Sequence, residues 1–508
     1  MLTYSLVDRR QIAINGLEGQ AGIGEYNPTT RRVEMVDGDL ARVDSRYYTD
    51  KAPGQSFLGS LVYGVGKFVG VLREHPQNEP EARAYWLADY VVTVGTSGLL
   101  TALLGVVIYA FCLRLGAGQQ SASLLGLAYG IATPALVYAT LFYGHQASGF
   151  CLFTSFFLLY RARHDGRDGW GSMLLSGLLA GFSVVVEYQT AVISAALGAY
   201  ACVAVRKTGA IASFVLGGLL TGSLLAAYNY AAFGDPLDFG YAHEVSREFR
   251  AVHSAQNPLG LRIPALATFA NVVPEILWKP FRGLLFYAPI LCAAPVGFVA
   301  LIRHQRWGVA LVCVAAFAWL MLVNVSYPKW EGGWCTGPRF MVPAIPFTLL
   351  LVGGLVSSVK KAGMIAFLGS ATIAGAILML GCVAVGGRFP PDAVGVPPPM
   401  ASRIANPVRE IVLPHWRGRV QQKADPLPKD MSARGPAYAI CPMCQRHPPS
   451  YLAGGRQFER NVGRWLVQRF VPAEPSPWQG LQMGPLLAYL VAMTAALLIR
   501  AGRAAQRT

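Results

Sequence analysis

The sequence predicts an all-α, multi-pass membrane protein, and three observations carry that reading. Only 14% of the 508 residues are charged, 53% are hydrophobic and the mean hydropathy is +0.39. A soluble domain carries about 25% charged residues, so this chain lacks the charge to cover a soluble surface. The second observation is a series of about eleven windows free of Asp, Glu, Lys and Arg, near 90–113, 121–143, 146–160, 171–186, 189–205, 210–232, 283–302, 307–325, 340–359, 362–387 and 481–499. A bilayer core takes about 20 apolar residues per helix, and a charge at its centre costs roughly 3 kcal/mol. The third is an alternation of charge between successive loops.

Connections 114–120, 161–170, 206–209, 303–306, 360–361 and the tail 500–508 hold roughly thirteen cations in about 36 residues. Loops 144–145 and 187–188 hold none, and 326–339 holds only Lys329 and Arg339. By the positive-inside rule the first set is cytoplasmic. The net charge of +16 and the pI of about 9.5 therefore read as topology rather than as a nucleic-acid patch. The chain divides into an outer first loop over 1–89 with a juxtamembrane helix over 56–72, a membrane bundle over 90–387, a Pro-rich extracytoplasmic loop over 388–480, and a last span with a cytoplasmic tail over 481–508. Residues 56–72 offer a rival span, but they are short and contain Lys67.

Six of the nine cysteines lie in apolar stretches and read as packing residues. Only Cys335, Cys441 and Cys444 are in polar connections, so no disulfide framework is expected. Cys441-Pro-Met-Cys444 with His447 has half of a zinc-ribbon spacing and no second pair. The first residues, MLTYSLVDRRQ, contain no apolar core of a cleavable signal.

The polar constellations fall in the loops read as outer. In Tyr47-Tyr48-Thr49-Asp50-Lys51-Ala52-Pro53, the proline opens a helix, whose unpaired N–H groups and the preceding Lys51 would cradle an anion. Asp50 could hold a divalent cation or act as a base; an ordinary turn with a surface ion pair explains the same residues. His145 caps a short hairpin, either as a structural histidine or as a ligand. Glu187 and Tyr188 sit between two apolar windows, where an acid is a functional candidate unless it simply meets water at a hairpin tip. Trp330, Glu331 and Arg339 bracket a glycine-rich re-entry; Arg339 could clamp a phosphate and Glu331 a sugar hydroxyl or cation, while Trp330 also suits an aromatic belt.

Together, the runs SLVDRRQIAINGLEG, DSRYYTDKAPGQSFLG, FYGHQASGF, EYQTAVISA, AYNYAAFGDP, RGLLFYAPIL and WEGGWCTGPRFMVPAIPF resemble bacterial GT-C membrane glycosyltransferases. These are relatives of the protein O-mannosyltransferases and the lipid A aminoarabinose transferase. The resemblance covers about residues 2–350, with a weaker match at 461–463 and the last helix. It implies a GT-C-like bundle in the bacterial inner membrane, a polyprenyl-phosphate-sugar donor, and a lipid, glycan or protein acceptor on the outer face. Lys51 and Arg339 are then expected at the donor phosphate, and Asp50 there with a divalent cation such as Mg or Mn. Asp50, Glu187 and His145 are the expected catalytic groups; Tyr48, Tyr188, Trp330 and Glu331 are expected at the sugar or acceptor. The family's first helix and its following acid would precede Met1, giving about twelve helices; Asp8, the nearest acid, lies downstream of that position. A lipid-linked-sugar flippase and a catalytically defective binding relative are the alternatives. Charge-free windows with polar residues at one rim favour an interfacial site over a translocation route.

Overall fold

The computed structural model of the protein describes residues 2–15, 22–27, 32–37, 40–72, 82–254, 257, 259–333, 335–358, 362–384, 387, 389 and 406–408. The expected last span over 481–499, Cys441, Cys444 and most of the Pro-rich segment lie outside these. The described chain is mostly helical, with two antiparallel hairpins, Gly22–Asn27 with Arg32–Asp37 and Leu40–Val43 with Arg46–Thr49. Five of its helices are long and apolar enough to cross a membrane: Ala88–Arg114, Thr208–Phe233, Trp307–Ser326, Arg339–Ser358 and Gly363–Val383. Shorter apolar helices run over Trp170–Val186, Tyr188–Ala204, Leu266–Leu277 and Pro289–Arg303.

Two of the charge-free windows are not single helices. The 121–143 window breaks after Ile131, where the Thr133 hydroxyl accepts the Ala135 N–H at 3.2 Å and Pro134 starts the short helix Ala135–Ala139. The 283–302 window is split at Pro289 into Leu284–Tyr287, a tight turn over Pro289–Ala293 and Ala294–Arg303. Proline lacks the N–H that would continue the ladder and fixes its own φ, so a window counted by charge alone runs through both breaks.

Glycine sets the helix spacing. A Cβ on Gly177 would lie 1.9 Å from the Phe214 carbonyl oxygen, and one on Gly217 would lie 2.4 Å from that of Leu174, so Trp170–Val186 and Thr208–Phe233 touch backbone to backbone. Gly297 meets the Leu351 carbonyl in the same way, at 1.9 Å. Apolar surface offers helices little to gain by pairing in lipid, and close backbone approach at small residues supplies the dispersion contacts instead. Gly177→Leu is expected to lower the thermal midpoint of the purified protein by several degrees, because overpacking of this kind costs about 1–3 kcal/mol or more. Gly222→Leu, with nothing within 4 Å of its Cβ, is the control that leaves the midpoint in place.

Side-chain contacts gather the loops at two ends of the bundle. At one end Arg114 pairs with Asp165 at 2.6 Å, Lys207 with Asp168 at 2.8 Å, Arg163 donates to the Val203 carbonyl at 3.1 Å, and Arg306 donates to the Tyr160 hydroxyl at 2.7 Å. The hydrogen bond from Lys207 holds the Asp168 carboxyl below its ordinary range. The first residues pack on the helix Gly54–Phe68: Tyr4 meets Tyr63 edge-on at 5.0 Å, and Asp8 binds both Lys67 at 2.5 Å and the Tyr63 hydroxyl at 2.9 Å. Lys67 is thus matched by an acid in the short helical segment Ser5–Arg9. At 15 residues that helix is about 22 Å long, shorter than a typical span.

Candidate functional site

The other end carries most of the residues singled out in the sequence, and three glycines explain how they meet. Gly54 opens the helix behind Lys51, and its Cβ position lies 2.7 Å from Val185 C and Val186 N. Gly144 packs on the same stretch, its Cβ position 2.8 Å from Val186 Cγ1 and 3.4 Å from Glu187 Cγ. Gly240 lies on the Asp50 backbone, its Cβ position 2.7 Å from both Asp50 Cα and O. The loop after Gly240 is also stitched to the second hairpin, where the Leu40 carbonyl accepts the Val245 N–H at 2.9 Å and Ala41 bridges Glu244.

Asp50 is fully buried, and its Oδ2 takes the Lys51 ammonium at 2.6 Å. The Lys51 side chain stays 40% exposed and lies over two rings, Tyr241 at 5.1 Å and Phe249 at 5.5 Å. Burial pushes the Tyr241 phenol well above its ordinary range, with Lys51 pulling the other way. Lys329 lies over the same Phe249 ring at 4.8 Å. From Tyr241 the rings continue. His253 stacks on Tyr241 at 4.7 Å and on Tyr327 at 5.8 Å; Tyr327 meets Phe340 edge-on at 5.6 Å; and Phe340 carries the Arg339 guanidinium at 4.8 Å. An unbroken path of aromatic contacts therefore joins Lys51 to Arg339.

Three histidine–acid pairs occur among the described residues. His145 Nδ1 pairs with Glu187 Oε1, while Glu187 Oε2 accepts Ser148 Oγ at 2.9 Å and Gln189 Nε2 at 3.3 Å. The imidazole lies among Tyr138 at 5.4 Å, Tyr143 at 5.8 Å and Phe340 at 6.3 Å; both ring nitrogens are buried without a hydrogen bond among the described residues, Nδ1 having the Glu187 ion-pair contact and Nε2 no polar contact. Leaving such a group unmatched costs about 1–3 kcal/mol. His253 Nδ1 pairs with Glu244 at 3.0 Å, both side chains 2% exposed, and its Nε2 is 3.5 Å from the Tyr327 hydroxyl. His243 Nε2 is 2.6 Å from Asp238.

The 330–340 arch is held from beneath by Arg282, which is 1% exposed. Its Nε donates to the Glu331 carbonyl at 2.8 Å, Nη1 to Cys335 at 2.7 Å, and Nη2 to Gly333 at 2.8 Å and Phe389 at 3.4 Å. Gly332 has φ +75, which glycine adopts without steric cost, and its Cβ position lies only 3.0 Å from Arg339 Cγ. The turn thus abuts the arginine stem and sets where the guanidinium points.

The structure brings Asp50, Lys51, His145, Glu187 and Arg339 to this end, with Tyr188 beside them, 5.9 Å from Tyr241 and 4.7 Å from Phe239. Tyr48 lies instead in a small apolar cluster with Leu2, Ile14 and Tyr228, its ring 5.7 Å from Phe233. Trp330 packs on Phe281 at 6.1 Å, and Glu331 is engaged through its backbone carbonyl. Trp334 is outside the described residues. Among the described residues no group of three His, Cys, Asp or Glu side chains is arranged to hold a metal ion. Sequence reasoning missed Tyr241, Glu244, Phe249, His253, Arg282 and Lys329. The signal for most of them was the density of aromatic, acidic and histidine residues in DFGYAHEVSREFRAVHS, a segment long enough to fold over the first loop. In comparisons with known proteins, the chain matches no family model, no curated protein and no solved structure.

Proposed function

We propose that the protein is a GT-C-type glycosyltransferase, with about eleven spans, that moves a sugar from a polyprenyl-phosphate donor to an acceptor at the outer face of a bacterial inner membrane. The observation that supports this reading is the aromatic path carrying Lys51 at one end and Arg339 at the other. When a glycosidic bond to phosphate breaks, negative charge grows on the departing oxygen, and fixed cations in a water-poor setting stabilise that charge most. Arginine adds a planar fork that can meet two phosphate oxygens at once. Rings between the cations offer faces on which a sugar can stack, and Tyr188 stands beside them.

A divalent cation at Asp50 fits the residues poorly. The carboxylate already binds an ammonium at 2.6 Å, whereas Mg²⁺ takes six oxygen ligands in near-octahedral geometry. The test is incubation of membranes holding the full-length protein with a radiolabelled polyprenyl-phosphate hexose, mannose and glucose in turn. Label passing from donor to acceptor is the expected result. Label that crosses the bilayer still joined to the lipid would instead make the protein a flippase, and donor bound but never cleaved would make it a binding protein.

A further inference from the structure

We propose that His145 is the general base of this transfer, oriented by Glu187, and that the acceptor therefore reacts through a hydroxyl group. The inference rests on the glycosyltransferase reading and goes further, to the atom that takes the acceptor proton. Its observation is the state of the two imidazole nitrogens. Nδ1 faces the Glu187 carboxylate, which is itself fixed by Ser148 and Gln189. A carboxylate carries no proton to give, so the Nδ1–Glu187 ion-pair contact is met by a proton on Nδ1, which leaves the lone pair on Nε2. That atom is buried and has no partner among the described residues.

The other histidine–acid pairs differ at this atom. His253 has the Tyr327 hydroxyl within 3.5 Å of Nε2, and His243 turns its Nε2 onto Asp238 itself. His145 is the pair whose distal nitrogen is left for something else. Its surroundings suit an incoming substrate. Tyr143 and Phe340, which flank the imidazole, are half-buried and are also the two rings that carry Arg339, at 6.0 and 4.8 Å. A substrate that shifts those rings meets a base and a phosphate-binding cation together.

The step balances without a further reactant. The acceptor O–H proton passes to Nε2 as the oxygen's electron pair forms the bond to the anomeric carbon. The bond from that carbon to the phosphate oxygen breaks, and its electron pair leaves on the phosphate, facing Arg339 and Lys51. Glu187 stabilises the imidazolium until the proton returns to solvent. An alcohol needs such a base because its own proton is held far more tightly than an imidazolium's.

The experiment compares wild type, His145→Ala and His145→Gln in membranes supplied with radiolabelled polyprenyl-phosphate mannose and glucose, alongside equilibrium binding of polyprenyl phosphate. Both variants are expected to lose transfer about 100-fold or more, the upper part of the range for general-base removal, and to bind polyprenyl phosphate within twofold of wild type. Added imidazole is expected to restore transfer to His145→Ala in proportion to its concentration and to leave His145→Gln, whose side chain fills the space, unrescued. Transfer by either variant within threefold of wild type overturns the proposal, as does loss without imidazole rescue, or loss of phosphate binding in step with transfer. A wild-type protein that cleaves neither donor removes the underlying reading, and with it this inference, so the two failures are told apart.

Discussion

Lys51→Ala and Arg339→Ala are each expected to cut sugar transfer, counted per folded molecule, about 100- to 1,000-fold. That is the scale on which enzymes lose rate when one group stabilising transition-state charge is removed. Neither side chain is part of the buried core: Lys51 is 40% exposed and Arg339 lies half-buried on two rings. Deleting Arg339 removes charge and little packing, whereas Lys51→Ala also takes the ammonium from the buried Asp50 carboxylate and is expected to lower stability as well. Arg339→Lys is expected to recover only part of the loss, because an ammonium keeps the charge and not the two-pronged geometry. Gly332→Ala gives an independent check, since it leaves every charged group in place. Its new methyl would be strained at φ +75 and would press on the Arg339 stem at 3.0 Å, so transfer falls although the arginine is intact. Steady-state transfer rates with a labelled donor, normalised to folded protein, check all four variants. Full activity in Arg339→Ala would remove this side chain from the site.

Arg282→Ala is expected to have the largest effect on stability, about 4 kcal/mol or more. The guanidinium is buried and its partners are carbonyls of Phe281, Glu331, Gly333, Cys335 and Phe389. Hydrogen bonds to a charged donor contribute about 1.5–3 kcal/mol each without adding in full, and truncation leaves several acceptors facing an unfilled space. Arg282→Met restores most of the volume and none of the donors, so it is expected to fall with the alanine variant. Arg282→Lys keeps the charge but lacks the spread to reach carbonyls on both sides of the arch. Thermal unfolding reads the global loss, and protease cleavage within 331–338 reads the release of the arch. A melting temperature within a degree of wild type in Arg282→Met would show that these contacts contribute little.

The helical character was legible because it rests on composition. A bilayer excludes charge over a fixed thickness, so the charge-free windows mark apolar helices directly. Their interruptions at Pro134 and Pro289 were also written in the chain, but a charge count does not register backbone geometry. Glu187, His145, Lys51 and Arg339 stood out as polar residues against apolar neighbours. Tyr48 stood out for the same reason, yet strand alternation decides its direction. It pairs with Ala41 across the hairpin and turns into the small cluster with Leu2 and Tyr228. Arg282 was hidden for the opposite reason. Four of its five partners are backbone carbonyls 49 to 107 residues away, and backbone groups leave no mark on composition. Glu244 and His253 are nine positions apart, a spacing that neither helix nor strand periodicity brings together. Only the folding of their loop over Asp50 makes them a pair.

Equilibrium binding of two lipids of equal chain length, polyprenyl phosphate and the uncharged polyprenol, tests the claim that this end of the bundle captures a phosphate headgroup. With purified full-length protein, the phosphate is expected to bind about 100-fold or more tightly than the alcohol, two charge-assisted contacts of about 1.5 kcal/mol each being sufficient. That preference is expected to vanish in the Lys51→Ala/Arg339→Ala double variant. Equal affinity of the wild-type protein for both lipids would contradict the account.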